Sequence, residues 1–496
     1  MKRSIKKQRF LSRCGAPALL ALAMQTMTAH PLEAQTSANQ SQLAVSSTPV
    51  SISNALGEQS PYLGSVPTGA PTGTVLPLSL SDAVDRGLKY NLGLIESDVR
   101  ERTAHAERLK ELNDLLPNVT ASISQTSEQV NLKALGFNFN IPGAAIPVVV
   151  GPFGIQDARG TVTQTIFDWH SIQKVRAASE SVKSSQDSYK SSRDVVVLVV
   201  VNAYLQVIAD QAAIESQQAQ INTSQALYQR AHDQRTAGVA ARIDELRAQV
   251  ELQTQQQRLI AAQDQKAKDV LSLARVIGLP AGQEFTVETA VPYRPLEGVS
   301  LEKALQDSYA NRPDYASAQH DVRAAELSKK AAVAEYYPNV TSSADYGDIG
   351  PNFGNSHGTF AATASLNIPI FQGTRVKADV LQADASLQQK QAELADLKGR
   401  IDQDVRSALL DVNAADELVK VAKSNVELAH ETLSEAQDRF AAGVTDNIEV
   451  VQAQESVSAA DQAYISSLYT FNISKAQLAR AVGVAERAVR DYLGGT

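Results

Sequence analysis

The side chains able to do chemistry are few, and most are badly placed for it. Seven histidines (His30, His105, His170, His232, His320, His357 and His430) are scattered without metal-ligand spacing, and neither a phosphate loop nor a nucleophile motif occurs. The one cysteine, Cys14, follows Arg13 and precedes an apolar stretch, the wrong setting for lipoprotein acylation. No catalytic residue, metal site or cofactor is expected, and the chain does not read as an enzyme. Two carboxylates stand out by position. Asp244 follows the segment Ala237-Gly238-Val239, and Glu449 follows Ala442-Gly443-Val444 at the same distance. Glycine suits the tight turn that each segment predicts, and a carboxylate just beyond it is ordinarily a solvated helix start favoured by the helix dipole. Trp169, the only tryptophan, follows Phe167-Asp168 at a predicted strand-to-helix junction, where an interfacial anchor and ordinary packing are both open.

The two turns are copies of one turn. A shift of 221 carries Leu80-Ser81-Asp82-Ala83 onto Leu301-Glu302-Lys303-Ala304, and Leu116-Pro117-Asn118-Val119 onto Tyr337-Pro338-Asn339-Val340. Further on the shift is 204 for Phe167 and Phe371, then 205 for the turns and for Ala248-Gln249 with Ala453-Gln454. The chain is therefore an internal duplication, and the lost register of 17 lies between Val119 and Phe167, where a surface loop can change length.

The chain has 496 residues, 43% hydrophobic and only 5% aromatic, a composition suited to long helices packed through small side chains. Lys2, Arg3, Lys6, Lys7, Arg9 and Arg13, followed by the apolar run from Ala16 to Met24, read as a secretory signal too short to span a bilayer. Removing residues 1–34, with six basic residues and one acidic, takes the formal charge from −8 to −13 and leaves no cysteine. Disulfides are then excluded, and so acidic a chain is a poor nucleic-acid binder. The longest later apolar run is Val195 to Val201, so membrane insertion would require a β-barrel.

The elements follow from periodicity. Residues 35–77, rich in Ser, Thr, Pro, Gly and Gln, predict a flexible extension. Ser79 with Asp82 predicts a helix start, and one helix is expected from there to about Leu115, before Pro117. Alternation of Val119, Ala121 and Ile123 with Thr120, Ser122 and Ser124, and of Phe360, Ala362, Ala364, Leu366 and Ile368 with polar neighbours, predicts a β-hairpin in each half. The first has a long loop containing Pro142-Gly143 and Gly151-Pro152; the second has a shorter one. Val405, Val412, Val419, Val426, Leu433 and Phe440 then recur every seven residues, with Ala408, Ala415, Ala422, Ala429 and Ala436 in the alternate seam. Such a heptad implies closely packed, supercoiled helices. The first half repeats the large positions (Val200, Val207, Ile214, Ile221, Tyr228) over a more polar seam of Ala203, Asp210, Gln217, Ser224 and Ala231. A helix from about His170 to Thr236 would be roughly 100 Å long, and Val195 to Val201 is read as part of it.

Four strands cannot close a barrel, for which about eight are needed, so oligomerisation is implied. Hairpins joined to coiled-coil helices of this length describe a membrane barrel prolonged on one side by a helical cylinder. The chain resembles the TolC-type outer-membrane efflux proteins over residues 78–484. The resemblance rests on Leu80-Ser81-Asp82-Ala83, Asn311-Arg312-Pro313-Asp314, Leu115-Leu116-Pro117, Tyr336-Tyr337-Pro338, Ile166-Phe167-Asp168, Ile370-Phe371-Gln372-Gly373 and the duplicated turn segments.

The resemblance implies a mainly α fold with a membrane β-barrel: a homotrimer with a TolC-like coiled-coil tunnel and a twelve-stranded barrel, four strands and two repeats per chain. It implies location in the bacterial outer membrane, contact with its lipid, and a periplasmic extension. It further implies docking to a periplasmic adaptor and an inner-membrane pump of RND or ABC type, with passive export of small molecules or proteins in an efflux or type I secretion system. Asp244 and Glu449 match the family's acidic ring at the tunnel entrance, where a threefold carboxylate would concentrate negative potential. Gln452, and Arg247 in the first copy, stand where a second carboxylate is frequent in the family. Gly238, Val239, Gly443 and Val444 match the helical tips that touch the adaptor.

The chain is thus expected to divide into a signal peptide (1–34), an extension (35–77), a first repeat (78–280, hairpin about 118–167), a connector (281–299), a second repeat (300–484, hairpin about 339–371) and a tail (485–496). A periplasmic coiled-coil adaptor or scaffold without a pore is the competing reading. It accounts for the signal and the heptads but not for the duplicated hairpins.

Overall fold

The computed structural model describes residues 60–137, 147–288, 293–296, 298–445 and 447–492. The signal peptide, residues 35–59 of the extension, Pro142-Gly143 and the end of the tail lie outside the described residues.

Ser79 opens helix α1 (Leu80–Tyr90) as its spacing to Asp82 predicts. Its Oγ accepts the Asp82 N–H at 3.1 Å, and the Asp82 carboxylate accepts the Ser79 N–H at 3.4 Å. The helix does not run on to Leu115. It stops at Asn91, which is fully buried in an extended conformation (φ −65, ψ 132) and starts α2 (Leu92–Asn113). The Asn91 Oδ1 accepts the Gly93 N–H at 3.0 Å and its Nδ2 donates to the Tyr62 carbonyl at 2.7 Å. The segment before Ser79 is therefore not a flexible extension over residues 60–78. Tyr62 seats on Gly93, where a Cβ would meet its ring at 2.4 Å. Leu76–Leu78, strand β1, pairs in parallel with β4 (Phe285–Val287) of the connector. Composition suggested disorder because it records few apolar residues, whereas the few present, Tyr62, Leu63 and Leu78, reach the core.

After α2 come β2 (Asn118–Asn131), β3 (Val149–Phe167), α3 (Trp169–Thr236) and α4 (Arg242–Val276). The second copy repeats the order as α5 (Leu301–Asn311), α6 (Pro313–Ala334), β5 (Asn339–Gly350), β6 (His357–Asn367), α7 (Arg375–Ala441) and α8 (Asn447–Ala481), closing with α9 (Ala485–Tyr492). The break between α5 and α6 falls at Arg312, held extended (φ −66, ψ 117) ahead of Pro313, as a residue preceding proline favours. At a shift of 221, Arg312 is the counterpart of Asn91.

The long helices have 68 and 67 residues, their return helices only 35 each. At 1.5 Å per residue a long helix reaches roughly 100 Å and its partner roughly half of that. The uncovered half of α3 packs on α2 and α6, and α7 packs on α6. The predicted seam is the buried one: Val405, Ala408, Val412, Ala415, Val419, Ala422, Leu433 and Ala436 are all buried along α7. In α3 an 18-residue window is apolar enough to cross a membrane by composition. Val196 to Val201 are instead buried against Leu78, Leu80, Ala83, Leu273 and Val276, and form the core at mid-length.

The four long strands form one antiparallel sheet in the order β2-β3-β5-β6. Its register puts Val119, Val162, Ala344 and Ala362 in one row, and Ala121, Gly160, Tyr346 and Phe360 in the next. The opposite face carries Thr120, Thr161, Asp345 and Ala361 in the intervening row. One face is thus apolar and the other polar, and among the described residues β2 and β6 are free edges. Strand β6 ends at Asn367, so Phe371 lies past the sheet, although its counterpart Phe167 is still paired, opposite Val340.

Candidate functional site

The two turns lie at one end of the helices and end them in the same way. Ala237 and Ala442 are the last helical caps; Gly238 (φ 78) and Gly443 (φ 71) follow in the left-handed region, which glycine adopts without a Cβ penalty. The Val239 N–H donates to the Gln234 carbonyl and the Val444 N–H to the Arg439 carbonyl, both at 3.0 Å, so each tip is a Schellman turn. In that motif the valine usually packs on the residue five positions earlier. Here that residue is Gln234 or Arg439, and Val239 and Val444 are 77% and 70% exposed. A small core ties the tips together: Leu227, Ala231, Ala248, Leu433, Ala436, Val450, Ala453 and Val457, drawn from all four helices. The Arg230 guanidinium adds a contact over the Phe440 ring at 5.5 Å.

Asp244 and Glu449 stand in the first turns of α4 and α8. Neither faces solvent as a bare charge. Asp244 Oδ1 is 3.6 Å from Arg247 Nη1, and Glu449 Oε1 accepts from Arg439 Nη1 at 3.0 Å. Beside them is a carboxylate that the sequence reading passed over. Glu245 is nearly buried and meets two groups at the end of α3: its Oε1 accepts from His232 Nδ1 at 2.7 Å, and its Oε2 forms an ion pair with the Arg235 guanidinium, 2.6 Å from Nε. The counterparts in the second copy, at a shift of 205, are Gln437, Phe440 and Val450, so the second hairpin lacks this clasp and is held instead by the Arg439–Glu449 pair and the apolar contacts of Phe440 and Val450. Within one chain the surroundings of the two turns are an ion-paired network rather than a row of free carboxylates. Its electrostatics differ from a plain acidic ring because Arg235, Arg247 and Arg439 sit among the carboxylates.

Trp169 stacks on Phe167, ring centroids 6.4 Å apart, and the Arg176 guanidinium lies over it at 5.4 Å. Asp168 caps α3 by accepting the His170 N–H at 3.1 Å. This junction fixes the direction of the longest helix against the sheet.

A profile of the family described as "Outer membrane efflux protein" matches residues 99–279 and 304–484, one match per repeat. The chain belongs to the outer membrane efflux protein family. Its members are channel and transport proteins, and this one is an outer-membrane protein with a periplasmic helical extension. It is 26% identical over 304 residues to the probable efflux pump outer membrane protein TtgC of Pseudomonas putida, a match spanning 57% of this chain and 59% of that relative. It is 22% identical over 341 residues to the alkaline protease secretion protein AprF of Pseudomonas aeruginosa, covering 66% and 69%. The TtgC match thus spans less than two thirds of its own length. Among solved structures, the CmeC outer membrane channel of Campylobacter jejuni superposes with a TM-score of 0.70 at 16% identity, over 82% of this chain and 86% of that one. That likeness gives the efflux protein the TolC-like fold, with two repeats joining strands to long helices.

Proposed function

We propose that three copies of this chain form a passive duct across the outer membrane and periplasm, the exit channel of a tripartite efflux or type I secretion system. The observation that carries the proposal is the sheet. It has one apolar face, one polar face and two unpaired edges, which is stable in a bilayer only if β6 of one copy pairs with β2 of the next. Three four-stranded sheets then close a twelve-stranded barrel with apolar residues toward lipid. The helices have the same need. Ile243, Leu246, Val250, Ile260 and Leu271 line an exposed stripe on α4, and Leu410, Leu418, Val421 and Leu428 another on α7. Those on α4, and Leu418, Val421 and Leu428 on α7, fall on the a and d positions of one heptad register, a coiled-coil seam awaiting a partner, here a second copy.

In this assembly Gly238, Val239, Gly443 and Val444 are the tips offered to a periplasmic adaptor, with an inner-membrane pump of RND or ABC type beyond it. The exposed valines support that reading. Asp244 and Glu449 line the entrance, each restrained by an arginine, and narrow it until docking parts these pairs. No pocket for a particular cargo is needed in a duct, and small molecules or proteins would be selected by the pump. The duct has no catalytic role. A non-pore adaptor accounts for neither the amphipathic sheet nor its free edges.

Purification from outer membranes in detergent, followed by mass determination and planar-bilayer recording, tests the assembly. A trimer with discrete conductance is expected; a monomer without conductance refutes the duct. For the entrance, Asp244→Ala with Glu449→Ala is expected to raise conductance or lower cation preference, and no change in either removes these residues from the role.

A further inference from the structure

The barrel wall holds a charge arrangement that neither the tips nor the family membership accounts for. Strands β2, β3, β5 and β6 contain a single Lys or Arg, Arg159. It lies on the polar face, opposite Ser122 on one side and Gly347 on the other. Its Nε donates to Asp157 Oδ1 and Oδ2 at 2.9 and 3.0 Å, and its Nη1 donates across to Asp345 Oδ1 at 2.6 Å. Gly347 makes this reach feasible. A Cβ there would stand 2.4 Å from the Arg159 Cβ and from the Ala158 carbonyl, so the arginine side chain crosses the space that a side chain would fill. The planar fork is thereby fixed on two carboxylates from the two different repeats, which a lysine could not match.

We propose that Asp157, Arg159 and Asp345 determine the ion selectivity of the barrel, separately from the periplasmic entrance. The inference rests on the trimeric-duct reading, which turns the polar face inward. On that face the strands carry three carboxylates, Glu128, Asp157 and Asp345, against one guanidinium, and Arg159 is held flat on its two partners rather than projecting into the passage. Three copies give the lumen a net of about six negative charges, a field that favours cations and is screened over about 10 Å at 0.1 M salt. The pairing matters for sign: with both partners neutralised, the three arginines of a trimer would be balanced only by the three Glu128 carboxylates farther along the strands.

The test is the reversal potential of the purified full-length protein in planar bilayers under a KCl gradient. Asp157→Asn with Asp345→Asn brings the inward formal charge from about minus six to zero per trimer and is expected to lower the K+ to Cl− permeability ratio by about two- to fivefold. Arg159→Gln is expected to move it in the opposite direction, and Arg159→Lys, which keeps the charge and loses the fork, to leave it near the wild-type value. Opposite shifts from variants of one cluster are a signature that a purely structural clamp would not give. If the double variant does not assemble, Asp345→Asn alone supplies half of the charge change and the same sign. Shifts in one common direction, or none, in a conducting protein overturn the proposal while leaving the duct intact. A wild-type protein that never conducts overturns the duct itself.

Discussion

Asp194→Asn is a substitution whose effect can be worked out from the structure. Asp194 lies on α3 where α9 begins, half-buried, and accepts a backbone hydrogen bond from Glu486. Next to it, Arg193 makes a two-pronged ion pair with the Glu486 carboxylate at 2.8 and 3.1 Å. Burial first, then the Glu486 charge, push the Asp194 carboxyl up from 3.8 to about 6, against the opposing pull of Arg480. A raised acid binds its proton more readily when folded. The stability it confers is therefore fully present below pH 3.8 and is lost as pH rises to about 6, after which the deficit is constant. The interval of about two pH units is worth at most about 3 kcal/mol, and solvent reaching a half-buried group reduces that. Asparagine keeps the acceptor for the Glu486 N–H and removes the titration. The variant is accordingly expected to melt a few degrees above the wild type at pH 7.5 and level with it at pH 4, measured as Tm in detergent across that range. Comparing the two proteins at each pH cancels the other carboxylates. A Tm difference that is the same at both ends of the range refutes the reasoning.

Other expectations concern packing. Gly347→Ala should prevent barrel formation, because the new Cβ meets the β3 backbone at 2.4 Å, whereas Gly160→Ala, with its nearest neighbour at 3.9 Å, should be tolerated; detergent-resistant trimer on electrophoresis distinguishes them. Ala415→Leu places a large side chain in a buried seam and should cost about 1–3 kcal/mol, read as a lowered Tm with barrel strands intact by circular dichroism. Glu245→Gln should loosen the first hairpin tip, because the His232 and Arg235 clasp loses its charge; faster amide hydrogen exchange at residues 230–245, with unchanged exchange at the second tip, is the expected reading.

Much of this architecture was legible in the sequence because it is periodic. The seven-residue recurrence from Val405 to Leu433 became the buried seam, the alternation after Val119 became a sheet face, and Gly238 and Gly443 marked both turns. Local signals failed where a tertiary contact overrode them. Nothing near Asn91 announces a break, because the break is made by Tyr62 and by burial of the asparagine side chain. The unequal arms of the hairpins were hidden too, since each return helix and the helix stacked beyond it lie far apart in sequence. At the helical tips, the turn positions of Asp244 and Glu449 could be read, whereas the pairing of Glu245 with His232 could not: these residues are 13 apart and meet only across the turn. Arg159 was invisible for the same reason, since its reach to Asp345 depends on strand register.

The parallel pairing of β1 with β4 bears on the order of assembly. Leu76 meets Phe285 some two hundred residues downstream, so in a chain exported from its N-terminus the first ordered strand has no partner until the whole first repeat has emerged. Closing a loop of that size costs on the order of 5 kcal/mol in chain entropy before any contact repays it. The zipper of three residues is too small to lead such a closure and must follow it. The N-terminal strand is thus a latch, first to arrive and last to be secured, and its engagement reports that the first repeat and its connector are already in place.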